Sequence, residues 1–166
     1  MKTKAASSSG AVLVVGSSGK FAGFVVPEPV KRGARVLGLV RKNSESDGVI
    51  DRGAAEIAVG DLTDPSSMEA AFEGADSVFY IAPAFIQDEV NIGRANVRAA
   101  KTAGVRRVVF SSVIYPILRS TETRFSRVDF RDVAEVAAIA LTENRLTNGT
   151  FELCAPGHLI VETSRH

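Results

Sequence analysis

The stretch Ala11-Val-Leu-Val-Val-Gly16-Ser-Ser-Gly19-Lys-Phe-Ala22-Gly23 decides how this chain is read. An unbroken apolar, largely β-branched run stops at closely spaced glycines, the pattern of a buried strand turning sharply into a helix. At such a turn the first N–H groups of the helix lack intrahelical partners, and the helix dipole adds about half a positive charge. The pyrophosphate of a dinucleotide fits that place. Gly16 allows the tight turn, Gly19 lets a phosphate approach the backbone, and the small Ala22 or Gly23 lets the helix pack close to the sheet. Glycines also mark ordinary turns, so the spacing takes its meaning from its surroundings. Here a second β-rich run, Arg35-Val-Leu-Gly-Leu-Val40, arrives within the ~30-residue reach of a βαβ unit.

Working outward, strands and helices alternate, which is the signature of a parallel sheet covered on both faces. Strands are expected at about 11–16, 35–40, 55–59, 77–81 and 107–111. The helix after the first strand, about 19–32, contains Pro27 and Pro29, which predict a kink or an early end. A short helix ends near Arg52. Asp64 is placed to cap a helix starting at Pro65 and running to about Phe72. A longer one, about 86–103, ends at Gly104. From Val113 to Arg127 neither period holds. Regularity returns in the amphipathic segment from Asp129 to Leu141, where Asp129 and Asp132 read as capping acids, and a last strand is expected at about 150–154. The expected organisation is a flexible tail over 1–10, one nucleotide-binding domain over 11–155, irregular at about 113–127, and a C-terminal tail over 156–166.

Composition narrows the class. The chain of 166 residues is long enough to bury one core without staples. Cys154 is the only cysteine, so no internal disulfide forms, and it reads as a packed strand thiol. No apolar run approaches the ~20 residues of a membrane span, and Met1-Lys-Thr-Lys4 leads into no hydrophobic signal core. A cytoplasmic enzyme or binding protein is the expectation. With 20 Lys and Arg against 19 Asp and Glu, no basic surplus drives binding to nucleic acid. His158 and His166 have no second ligand at useful spacing, so no metal site is expected.

Several motifs in order, Val12 to Gly23, Val36 to Lys42, Gly60-Asp-Leu-Thr-Asp64, Val105 to Ser112 and Val128 to Ala134, resemble the NmrA-like branch of the atypical short-chain dehydrogenases/reductases. The resemblance implies a doubly wound Rossmann domain that binds NAD(P), followed by a smaller substrate or partner region. It implies that Gly16, Ser18, Gly19, Lys20 and Phe21 hold the dinucleotide, that Asp61 and Leu62 lie beside the adenine, and that Ala82 and Pro83 line the nicotinamide side. Asp61 serves equally well as a turn cap. Ser111 and Ser112 match the place where reductases of the superfamily carry a catalytic serine. The segments that usually stand between the counterparts of Ser112 and Val128 are missing here, which leaves open a shortened protein, a truncated one, or a sequence from which segments are absent.

Arg41 and Lys42, at the end of the second strand, speak to the cofactor. An acid there binds a ribose 2′-hydroxyl, an arginine a 2′-phosphate, and no acid follows until Glu45. NADP(H) is therefore expected over NAD(H), the charge-assisted contact contributing on the order of 1.5–3 kcal/mol. The catalytic side is thinner. Tyr115 follows Ser112 closely, precedes Pro116, and has Arg119 rather than a lysine four residues on. Arginine does not deprotonate in proteins and is a poor proton relay. Two functions follow: a module that senses the NADP(H) pool and reports to a protein partner, or a reductase passing hydride to a quinone, azo compound or similar small acceptor, chemistry that the cofactor itself carries.

Overall fold

The computed structural model describes residues 10–82, 86–111, 129–151 and 153, together with the backbone of 124–125 and 159–160. Its centre is a parallel sheet. The strands are β1 (Ala11–Val14), β2 (Arg35–Val40), β3 (Glu56–Val59), β4 (Ser77–Ile81) and β5 (Arg107–Ser111), in the spatial order β3-β2-β1-β4-β5. β1 runs beside β2 with Val12 against Val36 and Leu13 against Leu37, and beside β4 with Leu13 against Val78. The middle strand is buried on both sides: Val12, Leu13, Val14 and Val15 are each at most 2% exposed. Complete burial of such side chains stabilises by roughly 1.5–3 kcal/mol apiece. That is why β1 reads as an uninterrupted apolar run rather than an alternating one.

Alternate side chains feed two cores. On one face Val12, Val14, Val36, Val40 and Phe79 pack under Val25, Val26 and Val49, and under Ala134, Ala137 and Leu141 of α5 (Phe130–Thr142). On the other, Leu13, Leu37, Leu39, Val78 and Tyr80 pack under Met68 and Phe72 of α3 (Pro65–Phe72) and Ala99 and Ala100 of α4 (Glu89–Thr102). Asp64 caps α3 by accepting from the Ser66 N–H, and Asp129 caps α5 by accepting from the Arg131 N–H. At the far end of α5 the Arg107 guanidinium of β5 donates to the carbonyls of Ala140 and Glu143. It satisfies C-terminal carbonyls that have no helical donor and ties the helix to the edge of the sheet. Val108 and Phe110 on the α4 side of β5 stay exposed at 43% and 56%, with Phe110 stacked on Tyr80.

Three expectations change. The helix after β1 is broken into a 3-10 turn at Ala22–Phe24 and the short α1 (Pro27–Lys31). Pro27 sits at the start of α1, where its missing N–H costs no helical hydrogen bond. The helix expected from 86 begins at Glu89, behind Asp88 in a left-handed conformation (φ 57°) that a helix cannot continue through. The last strand does not run over 150–154: Thr150, Phe151 and Leu153 are not in a strand. Instead β6 (Arg124–Phe125) and β7 (Leu159–Ile160) pair antiparallel. Four βα units, β1–α1 to β4–α4, precede β6, α5 follows it, and α2 (Asp47–Ile50) supplies the short helix that ends near Arg52.

Gly38 of β2 joins the fold to what sits on it. A Cβ there would collide with Val49 and lie 2.9 Å from the Ser17 hydroxyl, so only glycine lets α2 and the turn after β1 rest directly on the strand. Gly38→Ala is expected to destabilise by roughly 1–3 kcal/mol through overpacking, read as a lower midpoint in thermal or urea unfolding.

Candidate functional site

The order in which strands are added reverses at β1: β2 and β3 lie to one side, β4 and β5 to the other. The carboxyl ends of β1 and β4 are therefore the switch point of the sheet, the position at which open α/β sheets bind ligands. The glycine turn leaves β1 at this point, and Ala82 leaves β4. Gly16 has φ +70°, the left-handed region that a side chain disfavours. Ser17 is fully buried, and both its N–H (3.2 Å) and its hydroxyl (2.9 Å) donate to the Leu39 carbonyl. The Gly19 N–H closes the turn on the Gly16 carbonyl at 2.8 Å, and a Cβ on Gly19 would lie 3.0 Å from that oxygen. Among the described residues the N–H groups of Ser18, Lys20 and Phe21 donate to nothing. Lys20 and Phe21 are exposed and Ser18 half-buried.

N–H groups without a partner, on an exposed turn that also carries Lys20, are suited to an anion. The helix dipole contributes little, because the segment that follows is only a 3-10 turn and a five-residue helix. The room at Gly23 is taken by an arginine: its Cβ would lie 3.1 Å from the Arg52 Cζ, and Arg52 Nη1 donates to the Ser17 carbonyl at 3.0 Å. Because a peptide is planar, holding the Ser17 carbonyl on Arg52 turns the Ser18 N–H the opposite way. The Ser18 hydroxyl donates to Glu45 Oε2 at 2.6 Å. Phe21 packs on Phe130 with ring centroids 4.2 Å apart and the planes tilted by 33°, so α5 begins against the turn.

At the next strand ends, Arg41 and Lys42 are exposed just past β2, and the Gly60 N–H donates to the Val40 carbonyl. Asp61 has the turn-capping role: its Oδ1 accepts from the Thr63 hydroxyl (2.7 Å) and N–H (2.9 Å). The Thr63 hydroxyl, then its N–H, hold the Asp61 carboxyl below the usual 3.8, burial opposes this, and the Arg41 charge assists. Leu62 is held by α4, whose buried Asn96 donates from Nδ2 to the Leu62 carbonyl at 3.0 Å. Asn96 Oδ1 has no partner among the described residues. Ser111 ends β5 beside Ile81 of β4.

The fold thus collects Gly16, Ser18, Gly19, Lys20, Phe21, Arg41, Lys42, Asp61, Leu62, Ala82 and Ser111 along one edge of the sheet, at or just past the strands' carboxyl ends. Pro83, Ser112, Tyr115, Arg119, Cys154, His158 and His166 lie outside the described residues. Four residues escaped the sequence reading as parts of this rim: Ser17, Glu45, Arg52 and Asn96. Only Asn96 left a signal, as a lone amide on the face of α4 that otherwise presents Ile92, Ala99 and Ala100. A cavity of about 170 Å³ between α3 and α4, lined by Glu69, Glu73, Ala99, Thr102 and Ala103, is away from the strand ends.

Sheet order, two-sided core and a glycine turn at the switch point define a doubly wound α/β domain of the Rossmann type. Residues 8–151 match the model of the NmrA-like family, and the chain belongs to that family. It is 36% identical over 103 residues to an NAD(P)H azoreductase of Xenophilus azovorans, covering 62% of this chain and 35% of the relative. It is 33% identical over 115 residues to cinnamoyl-CoA reductase 1 of Oryza sativa subsp. japonica, covering 61% and 33%. The chain spans about a third of the length of these curated relatives. Among solved structures it is similar in fold to the triphenylmethane reductase of Citrobacter sp. in complex with NADP(H), with a TM-score of 0.77 at 19% identity over 90% of this chain and 72% of that one. It is also similar to NmrA, a negative transcriptional regulator, with a TM-score of 0.54 at 25% identity over 63% and 34%. No helix among the described residues is long and apolar enough to cross a membrane.

The turns at Asp61 and Asp64 carry an acid-side signature. Hydrogen bonds, chiefly from the Thr63 and Ser66 hydroxyls respectively, lower both carboxyls from 3.8. A lowered native pKa stabilises fully above the unfolded value and is lost as pH falls through the folded one. In thermal melts the Asp61→Asn, Asp64→Asn double variant is expected to fall below the parent at pH 6 and to converge with it towards pH 3.

Proposed function

We propose that this chain binds an NAD(P) dinucleotide at the glycine turn, NADP(H) in preference to NAD(H), and acts as a nucleotide-binding or redox-sensing module. One observation carries the reading: a turn at the switch point of a parallel sheet, near the basic end of β2, on which the N–H groups of Ser18, Lys20 and Phe21 have no partner among the described residues. The pyrophosphate belongs on those N–H groups and the Lys20 ammonium. The adenosine half would run over the ends of β2 and β3, with Arg41 and Lys42 at the ribose and Asp61 and Leu62 towards the base. Ala82, Pro83 and Ser111 would border the other half. A dinucleotide so held supplies hydride chemistry; the chain's own residues bind and orient it.

The sensing role is supported by the sequence after Ser112, in which no Tyr-x-x-x-Lys pair follows. A protein partner would then read the bound state. A second reading, a reductase of a quinone, azo compound or similar small acceptor, is favoured by the 36% identity to the azoreductase and needs no proton-donating pair.

Titration of NADPH and NADH by calorimetry tests the cofactor. Arg41→Ala is expected to weaken NADPH about ten- to a hundredfold and to leave NADH nearly unchanged; an unaltered NADPH/NADH ratio overturns the preference. NADPH oxidation with a panel of quinones and azo dyes separates the two functions. Tight binding without turnover is the expected result, and turnover above background establishes the reductase instead.

A further inference from the structure

The corner where the ribose of the proposed dinucleotide would lie holds charges of both signs. Arg41 and Lys42 stand exposed at the end of β2, and neither forms an ion pair among the described residues. A 3-10 turn at Asn43–Glu45 follows at once. The Glu45 N–H donates to the Lys42 carbonyl at 3.0 Å, which folds the turn back on itself and brings the carboxylate to the glycine turn. There Glu45 Oε2 accepts from the Ser18 hydroxyl at 2.6 Å, across 27 residues of chain, with both residues half-buried. Glu45 likewise forms no ion pair among the described residues; its side chain is held by the Ser18 hydroxyl.

We propose that Glu45 is a specificity-determining residue: its carboxylate, seated on Ser18, opposes a 2′-phosphate at the ribose corner and admits a 2′-hydroxyl. The inference rests on the dinucleotide reading above. A carboxylate only accepts hydrogen bonds. A ribose hydroxyl can donate to it, whereas a phosphate brings a second anion with nothing to donate and competes for the Ser18 hydroxyl. Two like charges a few ångströms apart in a half-buried corner repel far more than in bulk water. Arg41 and Lys42 pull the choice towards NADP(H), and Glu45 pulls it back. The preference is then a balance of opposed charges on one short connection, and removing the negative member shifts it.

The test is titration of NADPH and NADH against the parent and the Glu45→Gln, Glu45→Ala and Glu45→Asp variants, each first checked for an unchanged melting profile. Glutamine keeps an acceptor for Ser18 and loses only the charge. Glu45→Gln and Glu45→Ala are expected to tighten NADPH about tenfold while NADH changes less than about threefold or weakens. Glu45→Asp, which keeps the charge, is expected to retain the parent's ratio. If both dinucleotides bind and neither neutral variant changes their ratio, Glu45 is only a staple of the loop and the proposal is overturned, with the cofactor reading left standing. A parent that binds neither dinucleotide overturns the cofactor reading, and this proposal with it.

Discussion

The seat of Ser17 on the second strand is the constraint on which the site depends. Its N–H and its hydroxyl both end on the Leu39 carbonyl, inside a core where an unpaired polar group would cost about 1–3 kcal/mol. That double bond pulls the turn down onto β2. It is sterically allowed only because the strand carries glycine at 38, and Gly16 in a left-handed conformation lets the chain bend there at all. With Ser17 fixed, Arg52 takes its carbonyl and Glu45 takes the neighbouring hydroxyl, so the connection between β2 and β3 grips the turn from its far side. What remains without a partner on the turn, among the described residues, is the set of N–H groups of Ser18, Lys20 and Phe21.

This arrangement changes the source of the attraction for an anion. A long helix behind the turn would bring a dipole, but the prolines at 27 and 29 and the short elements around them leave little of it. An anion bound at the turn as proposed would rely instead on the individual N–H donors, on Lys20, and on charges of the next loop. The rim of that proposed site lies on the connection that also carries the buried Val49: Arg41 and Lys42 are exposed and Glu45 is half-buried.

Much of the fold was legible because the physics is local. The apolar run 11–15, the second strand to Val40, the Asp64-Pro65 helix start and the Gly104 helix end are each decided by neighbours within a turn or a strand, and they stand where the sequence puts them. Two helix boundaries differ for local reasons, at Pro27 and Asp88, and the last strand differs where distant contacts decide. The stretch 150–154 has strand composition, yet the pairing that forms in this part of the chain joins Leu159–Ile160 to Arg124–Phe125, a partnership no local pattern announces. The contact of the Phe21 ring with Phe130, on a helix more than a hundred residues later, is likewise invisible to any local pattern.

By itself, then, the sequence determined that a strand ends in a glycine turn, that parallel strands alternate with helices, and that the second strand closes on a basic pair. These follow from apolar periodicity, glycine's conformational range and charge, all properties of a few adjacent residues. The tertiary structure decided which groups of the turn stay free. Ser17, Glu45, Arg52 and Asn96 act through partners 22 to 35 positions away. Only folding brings a hydroxyl to a carboxylate across that distance.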